Sequence, residues 1–143
     1  MGWADYYAAE YRVPPELVQA IIEVESAWQA HAMSTKGAAG LMQLMPATAV
    51  TFGVTNRFDV RQNIHAGVAY LARLMKLFNG DLRLTTAAYL GGENRILSAG
   101  LQYSNADVFE YVSKVARLYQ QKRLKRLRRE PLVEIANKGG NSP

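Results

Sequence analysis

Cysteine is absent from the 143 residues of the chain. That excludes disulfides, thiolate metal sites and a cysteine nucleophile, but it is compatible with an extracytoplasmic location, since a domain of this size is stable without bridges. Also missing is any apolar run near the roughly 18 residues that cross a bilayer. The opening MGWADYYAAEYR has neither the basic start nor the apolar centre of an export signal. If the natural protein is exported, its signal has been removed or the route is specialised. Stretches that alternate apolar and polar residues, as strands do, are lacking too, and no segment repeats. The periodic segments are all helical, which predicts an all-α fold.

The length and a hydrophobic content of 49% suit a single core. The net charge of +5 is unevenly spread: residues 1–113 hold 8 Lys and Arg against 10 Asp and Glu, whereas residues 114–143 hold 9 against 2. Six of those cations fall in KRLKRLRR, Lys122 to Arg129. Such a run is either a solvated helix end or a contact for an anionic partner, such as nucleic acid, lipid headgroups or cell-wall polymer. The expected organisation is a domain over residues 1–121, followed by a basic helix end and tail over 122–143, disordered from Asn137 where the sequence becomes polar and glycine-rich.

Helix signals begin at Pro14-Pro15-Glu16, and the spacing predicts a helix through Trp28 with Val18, Ile21 and Ile22 on its apolar stripe. A short helix is expected over Gly40 to Met45, and another from Pro46 to Gly53. Asp59 with Gln62 forms a capping-box pattern that opens a long helix, whose stripe is Ile64, Val68, Leu71, Met75 and Phe78 and whose stop is Asn79-Gly80. Asp81 caps Leu82 to Leu90, Asn94 to Ala99 forms a short helix closed by Gly100, and Asn105 or Asp107 caps the last helix, which buries Val108, Tyr111 or Val112, Val115 and Leu118.

Glu25 stands out within this pattern. It lies seven positions after Val18, four after Ile21 and three after Ile22, which brings its carboxyl onto the apolar face of its helix. A poorly solvated carboxylate has a raised pKa and holds a proton to donate; a helix-surface glutamate at the margin of the stripe would have the same spacing.

The residues that follow read as one block: Glu25-Ser-Ala-Trp-Gln, then Ser34, then Gly37-Ala-Ala-Gly40-Leu-Met-Gln43-Leu-Met45-Pro46-Ala-Thr48. Further segments are Asn63-Ile64-x-x-Gly67-x-x-Tyr70-Leu71, Ala87-Ala88-Tyr89 and Tyr111-Val112-x-Lys-Val115. In order and content these resemble the signatures of the soluble lytic transglycosylases, over residues of about 16–119. Two positions depart from that pattern. The family usually continues Ala-Ala-Tyr with Asn-Ala-Gly, where this chain has Leu90-Gly91-Gly92, and Gln29-Ala30 replaces a common Asn-Pro.

The resemblance implies a goose-type-lysozyme-like helical domain with a glycan-binding groove. It implies Glu25 as the catalytic acid and base, Ser34 on the sugar, Gln43 and Met45 along the groove, Tyr89 with its hydroxyl near the Glu25 carboxyl, and Tyr111 in support; Leu90 takes the place of a sugar-holding polar side chain. The implied reaction cleaves the β-1,4 bond between N-acetylmuramic acid and N-acetylglucosamine in peptidoglycan, closing a 1,6-anhydro ring without metal or cofactor, in a monomer of the periplasm or cell envelope. Most glycosidases use two carboxylates. Here Asp59 reads as a cap and Glu93 as a first-turn residue, so the substrate's N-acetyl group is expected to assist. A lysozyme-like hydrolase with Glu93 as base and a weakly active glycan-binding protein are the alternatives. With neither a helix-turn-helix nor a base-stacking signature, nucleic acid is not an expected partner.

Overall fold

Short-range capping chemistry sets most helix boundaries in the computed structural model, which describes residues 2–99 and 105–139. The helices are α1 (Trp3–Tyr11), α2 (Pro15–Ser26), α3 (Pro46–Thr51), α4 (Val60–Leu77), α5 (Leu82–Gly91), α6 (Glu93–Ala99) and α7 (Ala106–Gly139). Among the described residues there is no strand, only isolated bridges between Met33 and Ala39 and between Ala39 and Leu44. Proline opens α2 and α3, where its missing N–H costs nothing. Asp59 accepts from Gln62 N at 2.9 Å, Asp81 from Leu84 N at 3.0 Å, and Asn105 from Asp107 N at 2.9 Å and Val108 N at 3.2 Å. These side chains satisfy the first N–H groups of α4, α5 and α7, which have no partner within the helix.

Several expectations from the sequence need correction. The periodicity gives no hint of α1, because its aromatic residues lie on several sides and hide the stripe; Ala4, Tyr7 and Ala8 face inward, and Tyr7 stacks on His65 with ring centroids 4.3 Å apart. Helix α2 stops at Ser26 rather than Trp28, since Ala27 and Trp28 turn left-handed at φ 50° and 64°. No helix forms over Gly40 to Met45. Gly40 at φ 83° and Gln43 at φ 51° close a tight turn, across which Ala39 N donates to Leu44 O at 3.0 Å and Leu44 N to Ala39 O at 2.9 Å. The capping box at α4 is only half formed, for Gln62 Oε1 accepts from Thr55 N at 2.9 Å and Asn56 N at 3.2 Å instead of reaching back to Asp59. At the other end α7 is helical to Gly139, against the disorder expected from Asn137, while Gly100 and residues 140–143 lie outside the described residues.

The core lies around α2. Leu17, Val18, Ile21 and Ile22 are buried against Ile64, Val68 and Leu71 of α4, Tyr111 and Val115 of α7, and Met42 and Leu44 of the 27–45 loop. Each buried aliphatic side chain of this size stabilises the fold by about 1.5–3 kcal/mol. A smaller cluster of Leu74, Phe78, Ala88 and Ile96 joins α4, α5 and α6. Helix α7 packs along α2 and α5, and the start of its basic run is tied down: Lys122 Nζ lies 3.0 Å from Glu23, and an Arg126 guanidinium nitrogen 2.9 Å from Glu16. Glu16 is only 5% exposed, so loss of the Arg126 guanidinium would leave a poorly solvated carboxylate without this partner.

Candidate active site

The last turn of α2 carries Glu25 to a place where three other parts of the chain converge: the 27–45 loop, the end of α5 and the start of α7. A pocket of about 420 Å³ opens there. Its lining includes Glu25, Ser34, Gln43, Met45, Tyr89 and Leu90, six of the seven site residues expected from the sequence. The seventh, Tyr111, is 6% exposed and is not part of that lining, but its hydroxyl acts on the Glu25 carboxyl. Chain packing thus brings together residues spread from position 25 to position 111.

Burial dominates the electrostatics of Glu25. Its carboxyl is pushed from 4.5 up to about 7 because ionisation is poorly solvated there, and the Tyr111 hydroxyl only partly offsets this by favouring the charged form. At neutral pH the two protonation states are therefore near balance, which suits a group that must first give a proton and then take one. Both neighbouring tyrosines are held well above the ordinary phenol range, first by their own burial and then by the Glu25 charge. Their hydroxyls stay protonated and available as donors.

The two tyrosines meet Glu25 in different ways. Tyr89 Oη donates to the Met42 carbonyl at 2.6 Å and so braces the loop, while the Glu25 charge also acts on it. Tyr111 is the hydroxyl that acts on the carboxyl, although Tyr111 Oη is buried without a well-formed hydrogen bond. Only tertiary packing decides which of two tyrosine hydroxyls reaches a given carboxyl.

The 27–45 loop is held from outside itself. Asn63, buried on α4, accepts from Met42 N at 2.8 Å and donates to Ala39 O at 3.0 Å and Arg57 O at 2.8 Å. The Arg57 guanidinium donates to Gly37 O at 2.6 Å and Leu44 O at 2.7 Å. A side chain at Gly40 would collide with Asn63 and the Arg57 backbone, and one at Gly67 with Met42, so both glycines are needed for the loop to seat against α4. Arg57 is absent from the sequence reading; Asn63 and Gly67 stand in a quoted motif segment, and their role as loop anchors emerges only from the packing.

Within the loop, Ser34 Oγ accepts from Ala38 N at 3.0 Å, which leaves its own proton free to donate. Gln43 Nε2 donates to Ala32 O at 3.1 Å and Gly40 O at 2.8 Å, so its acceptor oxygen is the group it can offer a ligand. Leu90 is 44% exposed at the pocket. Lys36, Arg95 and Asp107 line the same pocket, although the sequence offered Asp107 only as a candidate cap for the last helix and gave none of the three a place at the site. Glu93, considered as a base, instead pairs with Arg73 at 2.7 Å and lines a separate hollow with Lys76 and Leu97. Asp59 is occupied as the α4 cap. Among the described residues no group of three or more His, Asp or Glu could hold a metal ion.

Comparison with known proteins adds a family. The family model described as "Transglycosylase SLT domain" matches residues 3–112. The chain is similar to the transglycosylase of Enterobacteria phage PRD1, at 43% identity over 88 residues covering 62% of this chain and 33% of that protein. It is also similar to membrane-bound lytic murein transglycosylase D of Escherichia coli K12, at 38% identity over 105 residues covering 69% of this chain and 23% of that protein. Among solved structures, an inactive mutant of lytic transglycosylase Slt from Pseudomonas aeruginosa superposes with a TM-score of 0.74 at 28% identity, over 83% of this chain and 23% of that one. The shared architecture is the all-α, lysozyme-like one. The chain thus spans about 33% of the phage protein and about 23% of each of the other two.

Proposed function

The chain belongs to the transglycosylase SLT domain family, and we propose that it is a peptidoglycan lytic transglycosylase in which Glu25 serves as acid and then as base. The observation that carries the proposal is the partly buried Glu25 carboxyl, raised to a pKa of about 7 by desolvation, in a pocket shared with Ser34, Gln43 and Tyr89. Protonated Glu25 donates to the β-1,4 glycosidic oxygen as the bond from N-acetylmuramic acid C1 breaks, and the N-acetyl carbonyl oxygen of the same sugar bonds to C1. The carboxylate left behind then removes the proton of the C6 hydroxyl. That oxygen attacks C1 and displaces the N-acetyl oxygen, closing the 1,6-anhydro ring and restoring protonated Glu25. No water is consumed. Lys36 and Arg95 add positive charge to the pocket, which suits a glycan that carries lactyl and stem-peptide carboxylates.

Asp107 is the feature that favours a second reading, hydrolysis, because it brings another carboxylate to the pocket lining. However, the two influences on the Glu25 pKa are burial and Tyr111. A carboxylate within the roughly 5 Å of a retaining pair would raise it further by like-charge repulsion. Asp107 is not among the influences on Glu25, and substrate assistance, which needs no second carboxylate, is the simpler reading.

The pH dependence of cleavage tests the acid role. The donating form of Glu25 falls by half near pH 7 and about tenfold for each further unit. The substrate's carboxylates ionise well below that range. The cleavage rate on isolated glycan strands should accordingly be level on the acid side and decline with a slope of one above about pH 7. A rate that stays level to about pH 9 would exclude Glu25 as the rate-determining acid.

Leu90 gives a second test. Exposed at the pocket where the family pattern has a polar residue, it leaves the sugar short of one hydrogen bond. Leu90→Asn should raise kcat/KM by roughly 2- to 12-fold, the equivalent of about 0.5–1.5 kcal/mol for one hydrogen bond. Unchanged or lower efficiency would mean that the pocket has been rebuilt around the leucine.

A further inference from the structure

Beyond the Glu25 pocket, the most unusual surface is the exposed side of α7 over residues 117–129. Lys122 and Arg126 turn inward to Glu23 and Glu16, which fixes the orientation of this part of the helix. Helical spacing then places Leu124 and Leu127 on the opposite face, and both are open to solvent, at 55% and 44% exposed. Arg117 and Arg128 share that face, and Arg123 and Lys125 flank it. None of these four cations has a hydrogen bond or ion pair within the described residues.

We propose that this face of α7 docks the domain onto a bilayer surface containing anionic lipid. Two exposed leucines bracketed by long cationic side chains match the depth profile of such an interface: the leucines reach the acyl boundary while Arg and Lys stems extend back to the phosphates. Charge alone would equally suit an anionic wall polymer, but a polymer in water has no use for the leucines, and that favours the bilayer. The charge distribution also gives orientation, since residues 1–113 carry 8 cations against 10 anions and are not drawn to the same surface. Helix α7 runs unbroken from Val108 at the pocket to Leu127. At about 1.5 Å per residue the face begins ~14 Å along the helix from Val108 at Arg117, and its leucines lie ~24–28 Å away, which leaves the pocket free to take a polymer strand.

Co-sedimentation of the full chain with vesicles is the test, using neutral phosphatidylcholine alone and mixed with phosphatidylglycerol, at low and at high salt. Two variants separate the contributions: Leu124→Gln with Leu127→Gln, and Arg123→Gln with Lys125→Gln and Arg128→Gln, each checked for native helicity and for unchanged cleavage of soluble glycan strands. The wild type should bind only the anionic vesicles, and each variant should bind them at least tenfold more weakly. Absence of vesicle binding overturns the proposal. So does leucine-independent binding to both vesicles and anionic wall polymer, which would make the face a general polyanion contact. A concentration-dependent dimer that needs Leu124 and Leu127 would give the face to a second copy and also overturn it.

Discussion

Glu25→Gln should abolish cleavage of peptidoglycan, lowering the rate by about 10²–10⁴-fold or more, because the amide has nearly the same shape but can neither deliver nor accept the proton. The substitution has a second, independent readout. The carboxyl titrates at about 7 in the folded chain against an ordinary value of 4.5, so folding favours its protonated form. Below about pH 4.5 the group is protonated in both states and costs nothing. As the pH rises from there to about 7 the unfolded state releases its proton first, and folded stability is lost progressively, by at most about 3 kcal/mol. Glutamine has no such dependence. The variant should therefore be inactive yet more stable than wild type at pH 8, with the advantage vanishing near pH 4. Clearing of sacculi at more than about a tenth of the wild-type rate would remove Glu25 from the mechanism, and equal stability at pH 8 would contradict the account of its burial.

Asn63→Ala should be the most damaging single change to the scaffold. It removes the acceptor for Met42 N and the donor for Ala39 O and Arg57 O together; Ala39 O keeps the Leu44 N–H, but Met42 N and Arg57 O lose the bonds that Asn63 supplies. Each such group costs about 1–3 kcal/mol, and the losses share one site, so a total of roughly 2–4 kcal/mol is expected. Because Asn63 secures the turn between Ser34 and Met45, activity should fall as well, even at temperatures where the variant stays folded. Denaturant unfolding followed by circular dichroism checks the first effect and cleavage at low temperature the second. A destabilisation below about 1 kcal/mol would show that water or a shifted loop replaces the amide.

These two substitutions mark what the sequence could and could not convey. Glu25 was legible because its spacing from Val18, Ile21 and Ile22 is local, and the apolar stripe it implies is the one the core uses. The caps at Asp59, Asp81 and Asn105 were legible for the same reason, since each acts on N–H groups two or three residues ahead. The turn at Gly40 to Met45 was misread as helix because its composition is helical, whereas its conformation is imposed by Asn63 and Arg57, which lie 13 to 24 residues away along the chain from the carbonyls they bind in the loop. The division between Tyr89, which braces Met42, and Tyr111, which acts on the carboxyl, has the same origin. At the basic end, the sequence shows six cations, but only the packing of α7 on α2 separates the two that pair with Glu16 and Glu23 from those that face solvent.

The most direct test of the central claim is the chemistry of the new chain end. Glycan strands digested with the full chain and analysed by mass spectrometry should release muropeptides ending in 1,6-anhydromuramic acid, lighter by one water than the hydrolytic product, because the C6 hydroxyl and not water closes the reaction. Exclusive release of reducing-end muramic acid would contradict the account and make the protein a hydrolase.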